Sequence, residues 1–167
     1  FPTPSGKVEL YSQTMADLGL DPLPGWREVV DSGGQNGAVL NGRFPAEEAL
    51  TLLSPASHHF TTSTFANQAE LVAREGAPFV EIHPDDAARH GIQSGEWVRL
   101  ENGRGWCELR AKITDGVRRG VVASPKGRWS KWENGRNVNW LTSDALGDMA
   151  GQSTFHSSRV WLRRVAQ

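Results

Sequence analysis

The sequence predicts a mainly β fold, a small closed barrel of about six short strands with short helices between them. Three observations point there. Short apolar or alternating runs recur from Ala49 to the end of the chain, each bounded by Gly, Pro or Asn. Asn102-Gly103 separates two alternating runs, a strong hairpin-turn signal. Within this β-rich body the clearest helix signal, Pro84 to His90, is short, unlike the long helices of a bundle or a doubly wound sheet.

Taken in order, Val8, Leu10, Tyr11, Met15 and Leu18 fall at helical spacing, with Ser5 as a cap and Gly19 as a stop. Asp21 to Phe44 is rich in Pro, Gly and Asn and shows no period, which predicts an extended arm. Ala49-Leu50-Thr51-Leu52-Leu53 is a nearly continuous apolar run, as a buried strand requires. Phe79 to Ile82 is a second strand. In the helix that follows, Pro84 suits the first turn, Asp85 and Asp86 favour the N-terminus, and Gly91 ends it. Trp97 to Leu100 and Trp106 to Ile113 alternate on either side of the hairpin. Val121 to Ala123 and Val160 to Val165 complete the set. The chain therefore divides into an N-terminal helix and arm, 1–48, and a barrel domain, 49–167.

At 167 residues, with 38% hydrophobic and 22% charged residues, the chain is long enough for a core and too apolar for disorder. A formal net charge of -1 gives no footprint for nucleic acid or an anionic membrane surface. No apolar run reaches the roughly 20 residues of a membrane helix, so no membrane insertion is expected. No signal peptide is visible, and Phe1-Pro2-Thr3-Pro4-Ser5-Gly6 begins abruptly, which suggests a piece of a longer chain. A cytoplasmic parent is the expectation, with a periplasmic one as the alternative, since a signal would lie upstream.

Cys107 is the one cysteine, so no intramolecular disulfide and no four-thiolate zinc or iron–sulfur site can form. Its alternating context suggests a small, half-buried strand residue. Six of the seven tryptophans come late. Trp97, Trp106 and Trp161 read as barrel fillers, whereas Trp129, Trp132 and Trp140 lie among Lys, Arg and Asn and could line a ligand groove.

Three loop segments could carry chemistry. Ser54 to Asn67 follows a buried strand and is dense in hydroxyls, with adjacent His58 and His59. Such groups suit phosphates and heterocycle edges, although a solvated polar loop is the plain alternative. Asn137 to Thr142 pairs amides with a hydroxyl, and Gly151 to His156 has the same character. Simple turn chemistry competes for both. Adjacent histidines on a strand would face opposite sides, so a shared metal is disfavoured and no metal ligand is assigned. No nucleophile elbow, P-loop or dinucleotide glycine fingerprint occurs. Asp85 and Asp86 read as helix-start residues rather than as catalytic acids, and no catalytic residue is assigned.

These segments, in order, resemble the C-terminal molybdopterin guanine dinucleotide-binding domain of molybdopterin oxidoreductases of the formate dehydrogenase, nitrate reductase and dimethyl sulfoxide reductase type. The resemblance rests on Thr3-Pro4-Ser5-Gly6-Lys7-Val8-Glu9, on His58 to Phe65, on Val80 to Ala87 with Gly91-Ile92 and Gly95 to Val98, on Asn139 to Thr142 and on Thr154 to His156. It implies a six-stranded double-psi β-barrel of the aspartate-decarboxylase-like type. It also implies a bis(molybdopterin guanine dinucleotide) cofactor carrying molybdenum or tungsten in the full-length parent, whose remaining domains are the expected partners. Cofactor contacts implied residue by residue are Ser54, Ala56, Ser57, His58, His59, Ser63 and Thr64 in the first loop, then Asn139, Thr142, Phe155 and His156. Where many members have Thr-x-Arg after the first strand, this chain has Ser54-Pro55-Ala56. The family's metal ligand lies in another domain, so the parent is expected to be an oxidoreductase of two-electron or oxygen-atom-transfer type while this domain alone turns nothing over. The rival expectation is a noncatalytic double-psi module for interaction or substrate recognition.

Overall fold

The computed structural model describes residues 1–23, 25, 45–147 and 151–165. Six strands close into a barrel in the order β1-β5-β2-β4-β3-β6. They are β1 (Leu50–Leu53), β2 (Phe79–Ile82), β3 (Trp97–Glu101), β4 (Trp106–Ile113), β5 (Val121–Ala123) and β6 (Ser158–Arg164). Three short helices accompany them: α1 (Gln13–Asp17), α2 (Ala69–Glu75) and α3 (Pro84–Arg89). This is the double-psi barrel that was expected. Two parallel pairs, β1 with β5 and β2 with β4, are stitched by antiparallel partners. No helix among the described residues is long and apolar enough to cross a membrane.

The core follows from strand alternation. Leu50 and Leu52 of β1, Val98 and Leu100 of β3, Cys107 and Leu109 of β4, and Val160 and Leu162 of β6 all point inward. The interior of a six-stranded barrel is narrow, and these aliphatic side chains fill it. The tryptophans expected there lie on the outer wall instead. Trp97 and Trp106 are half-buried, with Arg110 stacked on Trp97 at 4.3 Å and Arg99 on Trp106 at 4.1 Å. Trp161 is buried, but on the outer face of β6, where its Nε1 donates to the Pro45 carbonyl at 2.8 Å.

Helix α1 is shorter than its period predicts. Ser12, not Ser5, is the cap, its hydroxyl accepting from Met15 N–H at 3.3 Å. Val8, Leu10 and Tyr11 are exposed, so among the described residues this stretch meets no surface that would hold a longer amphipathic helix. Gly19 does end it, at φ 72°. The arm expected over 21–44 falls, apart from 21–23 and 25, outside the described residues. Helix α2 was not anticipated, although Glu70 and Arg74 pair across one turn at 2.7 Å and Gly76 follows at φ 73°. The final strand starts at Ser158, two residues early by the sequence reading.

Asn102 does more than turn the β3–β4 hairpin. Its buried amide donates to the carbonyls of Leu141 and Arg159 at 2.8 and 3.1 Å, tying the hairpin both to the loop at Leu141 and to the start of β6. Asp86 is also buried. It accepts from Gly120 N–H at 2.7 Å and so ties α3 to the start of β5, beyond the helix-start role read from the sequence.

Candidate functional site

Strand direction decides where the loops go. β1 and β5 are parallel with Leu53 beside Ala123, and β6 runs against β1 with Ser158 beside Leu52. The segments 54–68, 124–147 and 151–157 therefore all leave or enter the barrel at the same end. The three segments singled out in the sequence share this mouth.

Within the first loop the side chains divide by exposure. Ser54 is fully buried, and its hydroxyl has no hydrogen-bond partner among the described residues, as is also true of Ser158 on the neighbouring strand. Ser57 is buried, with its hydroxyl donating to the Lys126 carbonyl at 2.6 Å. Ala56 is exposed and forms a parallel β-bridge with Lys126. His58, Ser63 and Thr64 face solvent. Thr61 and Thr64 exchange backbone hydrogen bonds of 3.2 and 2.8 Å around a tight turn, with Thr62 at φ 54° and Phe65 at φ 73°. Left-handed backbone at two non-glycine residues is uncommon and holds the loop in a specific shape. His58 and His59 meet edge to face at 4.8 Å. His59 is half-buried. Its backbone N–H and its Nδ1 both meet Glu75 Oε2, at 3.0 and 2.8 Å. Burial works to raise the Glu75 carboxyl, but these two bonds and the charges of His59 and Arg128 outweigh it and hold the carboxyl below the usual range.

The loop after β5 locks onto the first. Gly127 stands at φ 111°, and a Cβ there would lie 2.1 Å from the Thr62 carbonyl oxygen. Trp129 Nε1 donates to the Ser63 carbonyl at 2.7 Å. Arg128 forms a largely buried ion pair with Glu133 at 2.9 Å and donates to the Gly76 carbonyl after α2. Asn137 organises the next turn, donating to the Arg128 carbonyl at 2.6 Å and accepting from Asn139 N–H at 3.0 Å. Asn139 itself is exposed. Thr142 is half-buried and donates to the Asn139 carbonyl at 3.0 Å. In the third segment Phe155 and His156 have ring centroids 4.3 Å apart, and Lys126 Nζ sits 3.7 Å over Phe155.

Thus Ala56, His58, Ser63, Thr64, Asn139 and His156 are open at the mouth, His59 and Phe155 are half-open, and Ser54 and Ser57 lie beneath. Two clefts adjoin it. One, of about 620 Å³, runs along the outer wall past Trp97, Trp106, Trp132 and Arg136. The other, of about 310 Å³, is bordered by Ser130, Asn137, Asn139 and Trp140. Trp132 and Trp140 therefore line grooves, as their basic, Asn-rich setting suggested, while Trp129 ties loops together. The mouth segments carry Lys126, Arg128, Lys131 and Arg136 against Glu133 and Asp144, an excess of positive charge that suits anions. Glu75, Glu108 and Glu133 are each engaged by a cation or an imidazole, whereas Lys126, Lys131 and Arg136 make no ion pair among the described residues. Among the described residues no group of three His, Cys, Asp or Glu side chains is placed to hold a metal ion.

Glu75, Lys126, Gly127 and Arg128 shape the mouth without standing out among the candidate residues of the sequence. Lys126 and Arg128 had a local signal, a basic run directly after a buried strand. Glu75 had none, because its partner lies sixteen residues away across a helix that was not anticipated.

A model of the molydopterin dinucleotide binding domain matches residues 50–159. Probable oxidoreductase YoaE of Bacillus subtilis is 39% identical over 98% of this chain and 22% of its own length. Biotin sulfoxide reductase of Cereibacter sphaeroides is 36% identical over 90% of this chain and 20% of its own. Dimethyl sulfoxide reductase DmsA of Escherichia coli is 29% identical over 98% and 21% respectively. Among solved structures, acetylene hydratase from Pelobacter acetylenicus superposes with a TM-score of 0.79 at 26% identity, over 98% of this chain and 24% of that one. The chain thus spans about a fifth of the curated relatives it matches.

Proposed function

Because the chain belongs to the molydopterin dinucleotide binding domain family, we propose that its barrel mouth grips the dinucleotide of a molybdopterin cofactor within a larger oxidoreductase. The observation that carries this is the convergence of three donor-rich loops on one end of the barrel, with Lys126, Lys131 and Arg136 there unpaired by carboxylates among the described residues. A dinucleotide cofactor is anionic through its phosphates and presents heterocycle edges, and this donor set suits both.

The residues fit the group. Open at the mouth, His58, Ser63, Thr64, Asn139 and His156, with half-open His59, would hold it, and Lys126 stands beside Ala56, where the usual arginine is absent. The Ser54 and Ser158 hydroxyls, without a partner among the described residues, are buried at the same end, a reserve of hydrogen-bonding capacity beneath the mouth. The cofactor, when bound, supplies a metal centre for two-electron or oxygen-atom-transfer chemistry. This chain's residues bind the dinucleotide, orient it and set the charge around it. The finer reading is a bis form with guanine as the base and molybdenum or tungsten as the metal. Relatives include sulfoxide reductases and a hydratase, so substrate choice is assigned to other parts of the protein. A cytoplasmic setting is part of the same proposal.

In the full-length protein, His59→Ala and Asn139→Ala are each expected to lower molybdopterin and metal content several-fold, because each removes a donor or acceptor of about 1–3 kcal/mol. Pterin fluorescence after oxidation and metal analysis per chain provide the measure. Unchanged content in both variants would overturn the reading.

A further inference from the structure

Beneath the mouth, a carboxylate is held against one of the candidate contacts. Glu75 is the last residue of α2, and its side chain is only 5% exposed while the His59 ring is 31% exposed. One oxygen, Oε2, meets both the His59 backbone N–H and its Nδ1. An ionised carboxylate only accepts, so Nδ1 carries the proton. Anchoring one ring nitrogen and the same residue's backbone leaves little freedom in either side-chain torsion. With Nδ1 engaged, Nε2 is the ring nitrogen left without a hydrogen bond among the described residues, on a side chain that is 31% exposed. Burial works to raise the carboxyl, the two hydrogen bonds from His59 outweigh it, and the charge of Arg128, itself paired with Glu133, adds a smaller push in the same direction. Helix α2 contributes no buried residue to the core, so this carboxylate is not explained by packing.

We propose that Glu75 is a positioning residue that fixes the rotamer and tautomer of His59 and so presents Nε2 to the bound dinucleotide. This rests on the reading of His59 as a cofactor contact. The arrangement matches the general logic by which an outer carboxylate sets the direction of an imidazole that touches the ligand. Its role is geometric. Glu75→Gln keeps an accepting oxygen in place, whereas Glu75→Asp keeps the charge but draws it back by one methylene.

The test is the rate at which pterin leaves the full-length holoprotein, followed by the fluorescence of the released, oxidised pterin. His59→Ala and Glu75→Asp are expected to speed release about tenfold, and Glu75→Gln is expected to stay within about twofold of the parent. The double variant, His59→Ala with Glu75→Asp, should release no faster than His59→Ala alone, because Glu75 acts through His59. Additive losses in the double variant, parental release by Glu75→Asp, or a Glu75→Gln as fast as Glu75→Asp would each overturn the inference. Parental release by His59→Ala would instead overturn the contact reading itself, so the two failures are distinguishable.

Discussion

Cys107 shows how a single position is governed by its surroundings. Its alternating context predicted a small, half-buried strand residue, and barrel closure buries it completely. Burial first, then the carboxylates of Glu108 and Glu133, push its thiol up to about 12 from an ordinary 9.0. The charged form is the thiolate, so the folded chain keeps a proton that the unfolded chain loses. The stability from this group is full below about pH 9 and is lost as pH rises toward about 12. Denaturant midpoints across that window should fall more steeply for the parent than for Cys107→Ala. Equal slopes would show that the thiol is not buried as described. Alkylating reagents are expected to reach it only on unfolding.

At the scale of elements, the site depends on loops that brace one another. The first loop was legible as a ligand-type segment because hydroxyls and imidazoles crowd it after a buried strand. Its shape was not, because Thr62 and Phe65 take left-handed backbone that no local preference demands. The shape comes from the loop after β5, through the Trp129 bond to Ser63 and the close approach at Gly127. A methyl group at Gly127 would meet the Thr62 carbonyl at 2.1 Å and would need a φ that side chains avoid. Gly127→Ala is therefore expected to cost roughly 3 kcal/mol and to lower Tm by several degrees. A variant that melts with the parent would mean the two loops are not in contact. Helix α2 illustrates a different loss of legibility. It is short, buries no residue and meets the first loop through the Glu75 carboxylate, so neither hydrophobic periodicity nor length could announce it.

For the whole molecule, the barrel separates two ends with different duties. The mouth gathers the candidate contacts, while the far end is held by ties such as Asp86 to Gly120 N–H at 2.7 Å. Asp86→Ala leaves the half-buried Gly120 N–H without its carboxylate acceptor and should cost about 2 kcal/mol. Because this tie is remote from the mouth, the cofactor content per folded chain should stay at the parental level. A fall in content matching that of His59→Ala would contradict the division of the two ends.

The sequence by itself determined the strands, the hairpin, helix α3 and the chemical character of three loops, because each is written in local periodicity, turn residues and side-chain type. Only the tertiary structure decided that these loops meet at one mouth, that the tryptophans lie outside a narrow aliphatic interior, and that Glu75 reaches His59. Those outcomes follow from strand direction, barrel closure and burial, which depend on residues far apart in the chain being brought together and are not encoded in any short window of it.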